Sequence, residues 1–227
     1  MADTKVSLAG CGAWRLLGAS SLVLALAACS GLPTAPTQPV RYDLGMTDIA
    51  LPVATAAASS VAPVPLVLAE VQAPGLPEGL TSMFYRLNYS DSQQLRAYQN
   101  ARWSLPPAQM VEQRLRMRLG LERPVLSGKD NVRAVLSDKR SIAQLRVTVD
   151  EFSQVFDSAS SSRAVLRLSA SLIGAGESAG NQLLGQKVFT VDMPSSAADA
   201  AGGAQAMARA VDEAAAQISR WLKGYGR

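Results

Sequence analysis

Few side chains in this sequence could carry out catalysis. The 227 residues include no histidine and two cysteines, Cys11 and Cys29. Histidine is the usual general acid or base near neutral pH, and Ser-His pairs, Cys-His pairs and many metal sites depend on it. Asp150 and Glu151 are adjacent carboxylates, but neighbouring strand residues point to opposite faces and cannot act together as an acid–base pair. The composition therefore argues against most hydrolases and against zinc sites.

The thiol of Cys29 lies in the most informative context. It ends the run Leu26-Ala27-Ala28-Cys29, which follows an apolar stretch at residues 16–25, and Lys5 and Arg15 precede that stretch. A basic start, an apolar middle too short to cross a bilayer and small residues at the end are typical of a secretory signal. The run resembles the lipobox of bacterial lipoproteins, in which the cysteine thiol is acylated before cleavage. We therefore predict lipid attachment at Cys29.

With cleavage predicted before Cys29, the sequence comprises a signal peptide, a tether and a folded domain. Residues 1–28 are the predicted lipoprotein signal peptide, and the alternative is a plain signal peptide with an incidental cysteine. Residues 29–40 comprise the lipidated cysteine and a proline-rich tether that spans at most roughly 36 Å. Residues 41–227 are predicted to form one domain, in which 46–65 is a flexible loop. The mature chain can form no internal disulfide, because Cys11 leaves with the signal.

Hydrophobic periodicity predicts an α+β fold for this domain. Alternating apolar residues indicate strands, most clearly at 145–149 and 164–172, with a bulge near Asp150-Glu151. Short turns between neighbouring strands favour antiparallel hairpins. A first helix opens at Pro106-Pro107 and runs to about Leu119, where Gly120 follows. We therefore predict a two-layer sandwich, with a mostly antiparallel sheet and two main helices packed on it.

The closing helix gives the strongest periodic signal. Apolar residues recur at three- and four-residue steps from Ala200 to Leu222, which is typical of an amphipathic helix laid on a sheet. Ser196 and Asp199 resemble a capping box, in which Ser196 would be the N-cap. Gly202-Gly203 lie in the first turn at a cost of about 1 kcal/mol each, so we expect this turn to fray.

The first helix has more apolar surface than packing on a sheet requires. One stripe is assigned to the core: Ala108, Val111, Leu115 and Leu119. Other residues lie on or beside a second stripe, more than about 100° away: Met110, Arg114, Met117, Arg118 and Leu121. Methionine adapts to irregular partners and arginine is enriched at interfaces, so we predict that these residues contact a partner. The alternative is that the two methionines are peripheral core.

Several short motifs occur in an order that resembles a known family. They are Tyr42-Asp43-Leu44-Gly45, Phe84-Tyr85-Arg86, Arg102-Trp103 leading into Pro106-Pro107, and Val111-x-x-x-Leu115-x-x-x-Leu119. In this order after a lipobox, the chain resembles the ABC-type transport auxiliary lipoproteins, the PqiC-like partners of MCE-domain lipid transport systems. The resemblance extends from Tyr42 to Leu222.

This resemblance implies an outer-membrane lipoprotein that faces the periplasm. Ser30 suggests the same membrane, since aspartate after the lipidated cysteine favours inner-membrane retention in enteric-type sorting. The resemblance also implies a non-catalytic part of a machine that moves lipids between membranes, with an MCE-domain periplasmic protein as partner and the ATPase and permease as separate chains. Self-association is a further expectation.

No cofactor is expected beyond the covalent lipid on Cys29. Nucleic acid is not an expected partner, because the net charge of +4 is small and spread along the chain. Two alternative functions are a lipoprotein that itself binds a lipid in a groove between sheet and helices, and a lipid hydrolase. The missing histidine argues strongly against the hydrolase.

Overall fold

The computed structural model describes residues 38–45, 64–76, 80–128, 142–175 and 181–225. The chain divides into two units, Met1–Gln38 and Pro39–Arg227, and the elements below belong to the second. The signal peptide, Cys29 and most of the tether lie outside the described residues. So do most of the 46–65 loop and residues 129–141, within which the sequence Val132 to Leu136 predicts a short strand.

Eight strands and two helices make up the described domain, and the overall class is α+β as predicted. The strands are β1 (Val40–Tyr42), β2 (Leu66–Leu68), β3 (Ser82–Leu87), β4 (Asp91–Trp103), β5 (Val125–Ser127), β6 (Ala143–Ser158), β7 (Ser161–Ala175) and β8 (Asn181–Pro194). The helices are α1 (Pro107–Gly120) and α2 (Ala200–Lys223). All eight strands belong to one sheet.

The sheet is organised around β6. One edge of β6 pairs along nearly its whole length with β7, which pairs in turn with β8. The other edge takes two short strands in succession, β2 beside Ala143–Leu145 and β3 beside Gln154–Phe156. β5 extends the sheet beyond β2, while β4 and then β1 extend it beyond β3. The long strand thus joins two narrower sheet portions into one curled sheet.

The prediction of a mostly antiparallel two-layer sandwich is not confirmed. Among the described strands, four pairings are parallel (β1–β4, β2–β5, β2–β6 and β3–β6) and three are antiparallel. The strand-like runs Met83 to Leu87 and Leu95 to Trp103 predict a hairpin, and the antiparallel pairing of β3 with β4 confirms it. The error arose because parallel neighbours are joined by long connections: Tyr85 pairs with Gln154, a contact that no local turn signal reveals.

The helices pack against one face of the sheet, where the core lies. Alternate residues of β6 are buried up to Val149, and Phe152 is buried after a register shift between Val149 and Glu151. This shift confirms the predicted bulge. The apolar side of α2 is also buried as predicted: Ala204, Met207, Val211, Ala214, Ile218 and Leu222.

The start of α2 differs from the prediction. Asp199 is itself the N-cap, and its carboxylate accepts a hydrogen bond from the Gly202 amide at 2.7 Å. Ser196 lies before the helix, where its hydroxyl bonds to Gln205. Gly203 is buried, and a Cβ there would overlap the side-chain amide of Gln154. The glycine is therefore required for close approach of α2 to β6.

Candidate functional site

α1 carries the predicted partner surface and packs beside α2. Pro106 and Pro107 open the helix, where a missing amide donor costs no helical hydrogen bond. The stripe assigned to the core is buried at Val111, Leu115 and Leu119, and Ala108 is half-buried. This side of the helix faces the sheet as predicted.

Two residues of the predicted interface are buried, and the prediction is wrong for them. Met110 is 4% exposed and belongs to the hydrophobic core. Arg114 is 5% exposed and bonds to α2 and to the main chain after β1. Helical phase placed both away from the sheet, but α1 is covered on a second side by these neighbours. For Met110 the alternative assignment to peripheral core is the correct one.

Arg114 is the centre of an ion-pair network between the two helices. Its guanidinium donates to both carboxylate oxygens of Asp212, at 2.7 and 3.1 Å, and to the carbonyls of Leu44 and Gly45, at 3.0 Å each. Arg118 donates to the same carboxylate at 3.0 Å, and this hydrogen bond raises the pKa of Arg118. The planar fork of arginine suits such a bidentate arrangement. The network therefore fixes α1 against α2 and against the segment after β1.

Four uncharged, exposed residues follow the outer side of α1 and the residue before it, and we call them the α1 stripe: Leu105, Gln109, Gln113 and Met117. The partly exposed ion pair of Arg116 with Glu112 lies beside them. Met117 is 40% exposed and Leu105 is 36% exposed. Leu105, Gln113 and Met117 line a shallow groove of about 280 Å³. Methionine adapts to irregular partner surfaces, so the exposed apolar side chains of Met117 and Leu105 favour contact with an apolar partner.

Two further residues of the predicted interface lie at the end of α1. Arg118 and Leu121 are half-buried, and both border an open groove of about 410 Å³ beside α2. They lie close enough to the surface to border a contact made by Met117. The partner surface thus stays a prediction for Met117, Arg118 and Leu121.

A larger groove opens at the beginning of α1. Its volume is about 770 Å³, and its walls include Val71, Leu76 and Leu80 on one side and Pro107 on the other. The Val71 amide donates a hydrogen bond to Glu112 at 3.1 Å, which joins the two walls. Small-ligand sites have volumes of roughly 300–1,000 Å³, so this groove is large enough for a small apolar ligand.

The adjacent carboxylates in β6 have separate structural partners. Asp150 accepts a hydrogen bond from the Ser169 hydroxyl, and Glu151 pairs with Arg86 at 3.3 Å and with the Ser153 hydroxyl. Within the described ranges, no three His, Cys, Asp or Glu residues are grouped so as to hold a metal ion. The same ranges contain no helix long and apolar enough to cross a membrane.

Sequence reasoning underrated Asp212. The apolar pattern of the closing helix leaves this residue unassigned, whereas Arg114 and Arg118 converge on its carboxylate. Two arginines one turn apart share a helix side, and an acidic residue on the flank of another helix is a suitable acceptor. Which helices would meet could not be read from either helix alone.

Comparison with known proteins agrees with this architecture. A family model described as an ABC-type transport auxiliary lipoprotein component matches residues 50–219, well over half of the chain. No curated protein sequence matches. A crystal structure of a protein from Xanthomonas campestris, assigned to DUF330, is 18% identical with a TM-score of 0.56 and covers 84% of this chain and 88% of that one. A crystal structure of an uncharacterized protein is 16% identical with a TM-score of 0.55 and covers 82% and 99%.

The two solved structures show a shared fold, and the family model shows the family to which the chain belongs. Its match includes α1 and most of α2, the elements that carry the buried arginine network. The chain therefore belongs to the family of ABC-type transport auxiliary lipoprotein components.

Proposed function

We propose that this protein is an outer-membrane lipoprotein, facing the periplasm, that serves as a non-catalytic auxiliary component of an ABC/MCE-type intermembrane lipid transport system. Family membership supports the transport role and the lipoprotein character. The lipobox ending at Cys29, followed by Ser30, supports the outer membrane. The absence of histidine from the sequence supports a role without catalysis.

The structural observation that carries the docking role is the α1 stripe. Arg114 holds α1 to α2 on one side, and Val111 and Leu115 hold it to the core on another. The stripe is therefore presented on a helix that is already ordered, and an ordered surface loses less conformational entropy on binding. We assign the stripe, bordered by Arg118 and Leu121, to contact with the MCE-domain periplasmic protein. Contact between copies of this chain is the second use of the same surface.

Co-purification from solubilised envelopes tests this assignment. Met117→Glu places a charge within the proposed apolar contact, so we expect it to reduce recovery of the MCE-domain protein without lowering the melting temperature. Val188→Glu is the matched control, because Val188 is 54% exposed on β8. Undiminished recovery with Met117→Glu would contradict the docking surface. Equal loss with both variants would show a general effect of added charge.

The groove of about 770 Å³ favours a second function, in which the domain itself binds a lipid. Leu80 borders the groove and is 44% exposed, so Leu80→Asp should exclude an acyl chain with little effect on folding. Native mass spectrometry of the purified protein should then show bound lipid in the wild type and none in the variant. A wild type that carries no lipid contradicts this function and leaves the docking role intact.

A further inference from the structure

A separate apolar surface lies where β8 begins and α2 ends. We call it the C-terminal corner, and its residues are Leu183, Leu184, Lys187, Trp221 and Tyr225. Leu183 is 59% exposed, Leu184 40% and Tyr225 43%, while Trp221 is half-buried and Lys187 is exposed. Single exposed apolar residues are common on proteins, but here two leucines and two aromatic rings share one corner. The corner is distinct from the α1 stripe.

Two glycines hold the apolar side chains of the corner in place. A Cβ at Gly174 would come within 2.8 Å of the Leu184 side chain, so Leu184 lies directly over this glycine. A Cβ at Gly185 would overlap the hydroxyl of Tyr225, so the tyrosine lies against the β8 main chain. The missing side chains thus allow Leu184 and Tyr225 to rest on the sheet in defined positions.

The aromatic rings of the corner are in contact with one another and with the core. The rings of Trp221 and Tyr225 lie 5.3 Å apart, edge to face, and Trp221 contacts buried Phe189 at 5.8 Å in the same way. Such pairs contribute about 0.5–1.5 kcal/mol beyond their buried area. The exposed rings are therefore anchored to the folded domain.

Three basic side chains lie at or near the corner. Lys187 lies 5.3 Å from the centre of the Phe189 ring and is the one charged residue from Asn181 to Val191. Arg220 and Lys223, in the last turn of α2, have side chains 62% and 61% exposed and form ion pairs with Glu213 and Glu122. Tryptophan and tyrosine prefer the headgroup level of a bilayer, and lysine and arginine keep their charged ends at the phosphates. This combination therefore fits a phospholipid surface.

The predicted tether is long enough to bring this corner to a bilayer. β1 and β8 lie five strand spacings apart, which is about 24 Å. The pairing registers place Val40 level with Thr190 and Val191, so Leu183 lies about 23 Å further along the strands. On a flat sheet Val40 and Leu183 would be about 33 Å apart, and the curl of this sheet shortens that distance. The separation is therefore within the roughly 36 Å span of the tether.

We infer that the C-terminal corner rests on the bilayer in which the protein is anchored, with Trp221 and Tyr225 at headgroup depth. This inference rests on the proposed lipid anchor at Cys29. It also sets an orientation: the turn between β3 and β4, with Tyr89 54% exposed, lies at the opposite end of the sheet and points away from the membrane.

Trp221 is a built-in probe of this contact. Removal of the signal leaves two tryptophans, of which Trp103 is 3% exposed. The lipidated protein is incorporated into phosphatidylethanolamine–phosphatidylglycerol vesicles, with or without bromine on the acyl chains, and vesicle flotation is measured in parallel. Bromine quenches a ring only at short range, so we expect loss of the Trp221 emission. The variant Trp221→Phe reports the remaining emission of Trp103.

Three variants separate the corner from the anchor. Leu183→Ser with Leu184→Ser should restore the Trp221 emission while flotation stays unchanged, and Lys187→Glu should act in the same direction without changing an apolar residue. Tyr89→Ser, at the opposite end of the sheet, should be quenched like the wild type. Melting followed by circular dichroism shows whether each variant is folded.

The outcomes distinguish the membrane contact of the C-terminal corner from the lipid anchor at Cys29. Protein that floats with its vesicles but shows no bromine quenching overturns the inference and leaves the anchor intact. Quenching that persists in both the leucine double variant and Lys187→Glu also overturns it. Protein that does not float contradicts the proposed anchor, and the inference fails with it.

Discussion

Arg114 is the most constrained side chain of α1. Its guanidinium is almost fully buried and makes hydrogen bonds to a carboxylate and to two main-chain carbonyls. Asp212 also accepts a hydrogen bond from Arg118. The side chains of Asp212 and Arg118 are about a quarter exposed, so both charged groups are also hydrated. A buried pair is not by itself strong support for stability, but removing one partner is costly because the other stays buried.

The first prediction concerns the planar, forked shape of the Arg114 guanidinium group. Arg114→Lys keeps the charge but cannot reach both Asp212 oxygens and both carbonyls, so the free energy of unfolding should fall by about 2–3 kcal/mol. Urea denaturation followed by circular dichroism measures the change. The matched control is Arg116→Lys on the same helix, whose pair with Glu112 is partly exposed, and it should change stability by less than about 0.5 kcal/mol. Similar losses in both variants would contradict a special role for Arg114.

The second prediction separates the two methionines of α1. Met110→Ser removes a buried core side chain and should lower the free energy of unfolding by at least about 2 kcal/mol. Met117→Ser changes an exposed residue and should shift it by no more than about 0.5 kcal/mol. Thermal melts of the two variants under the same conditions make the comparison. Equal melting temperatures would contradict the assignment of Met110 to the buried core.

At the scale of the elements, the start of α2 is joined to the sheet through one buried polar side chain, that of Gln154. The Gln154 side chain is 3% exposed; it accepts from the Tyr98 hydroxyl at 2.9 Å and donates to Ser162 and to the Asp199 carbonyl. Burial raises the pKa of the Tyr98 phenol well above its ordinary value, which keeps this donor protonated. The amide therefore joins β4, β6 and β7 to the first residue before α2.

The third prediction tests the close approach at this junction. Gly203→Ala would place a Cβ onto the Gln154 amide, so we expect a loss of about 1–3 kcal/mol, although alanine is the better helix former. Gly120→Ala is the matched control, because among the described residues no atom beyond the chain neighbours and the helix's own backbone lies within 4 Å of a Cβ at that position. It should be neutral or stabilising by up to about 1 kcal/mol. Equilibrium unfolding of both variants gives the sign of each effect. A stabilised Gly203→Ala protein would show that the junction is not tightly packed.

At the scale of the whole molecule, the core of the described residues lies entirely C-terminal to the predicted lipidation site. The buried apolar cluster extends from Leu44 to Leu222. β1 joins the sheet through three residue pairs with β4, and the Ser104 amide bonds to the Tyr42 carbonyl at 2.7 Å. Attachment to a membrane and folding of the domain should therefore be separable properties.

The fourth prediction uses this separation. Cys29→Ser removes the thiol that acylation requires, so the protein should keep its circular dichroism spectrum and melting temperature but leave the outer-membrane fraction. Cys11→Ser changes the cysteine within the predicted signal and should remain in that fraction. Cell fractionation with detection of the protein decides between the two expectations. Outer-membrane recovery of the Cys29→Ser protein would place the anchor elsewhere.

The sequence by itself determined features that depend on neighbouring residues. It predicted the extent of α1, the apolar side of α2 and the bulge at Asp150-Glu151, because helical phase, strand alternation and turn residues are local properties. It also indicated the family, since short motifs and their order can be read directly from one chain. Cys29 belongs to the same kind of inference and stays a prediction, as it lies outside the described residues.

The tertiary structure decided which segments meet. The parallel pairing of Tyr85 with Gln154 and the capture of Arg114 by Asp212 join residues far apart in the chain, and no local pattern encodes such contacts. Met110 was misassigned for the same reason: helical phase gives the side of α1 that faces the sheet, but not that a second helix and the segment after β1 cover another side. Burial depends on every neighbour of a residue, and those neighbours are known only once the chain has folded.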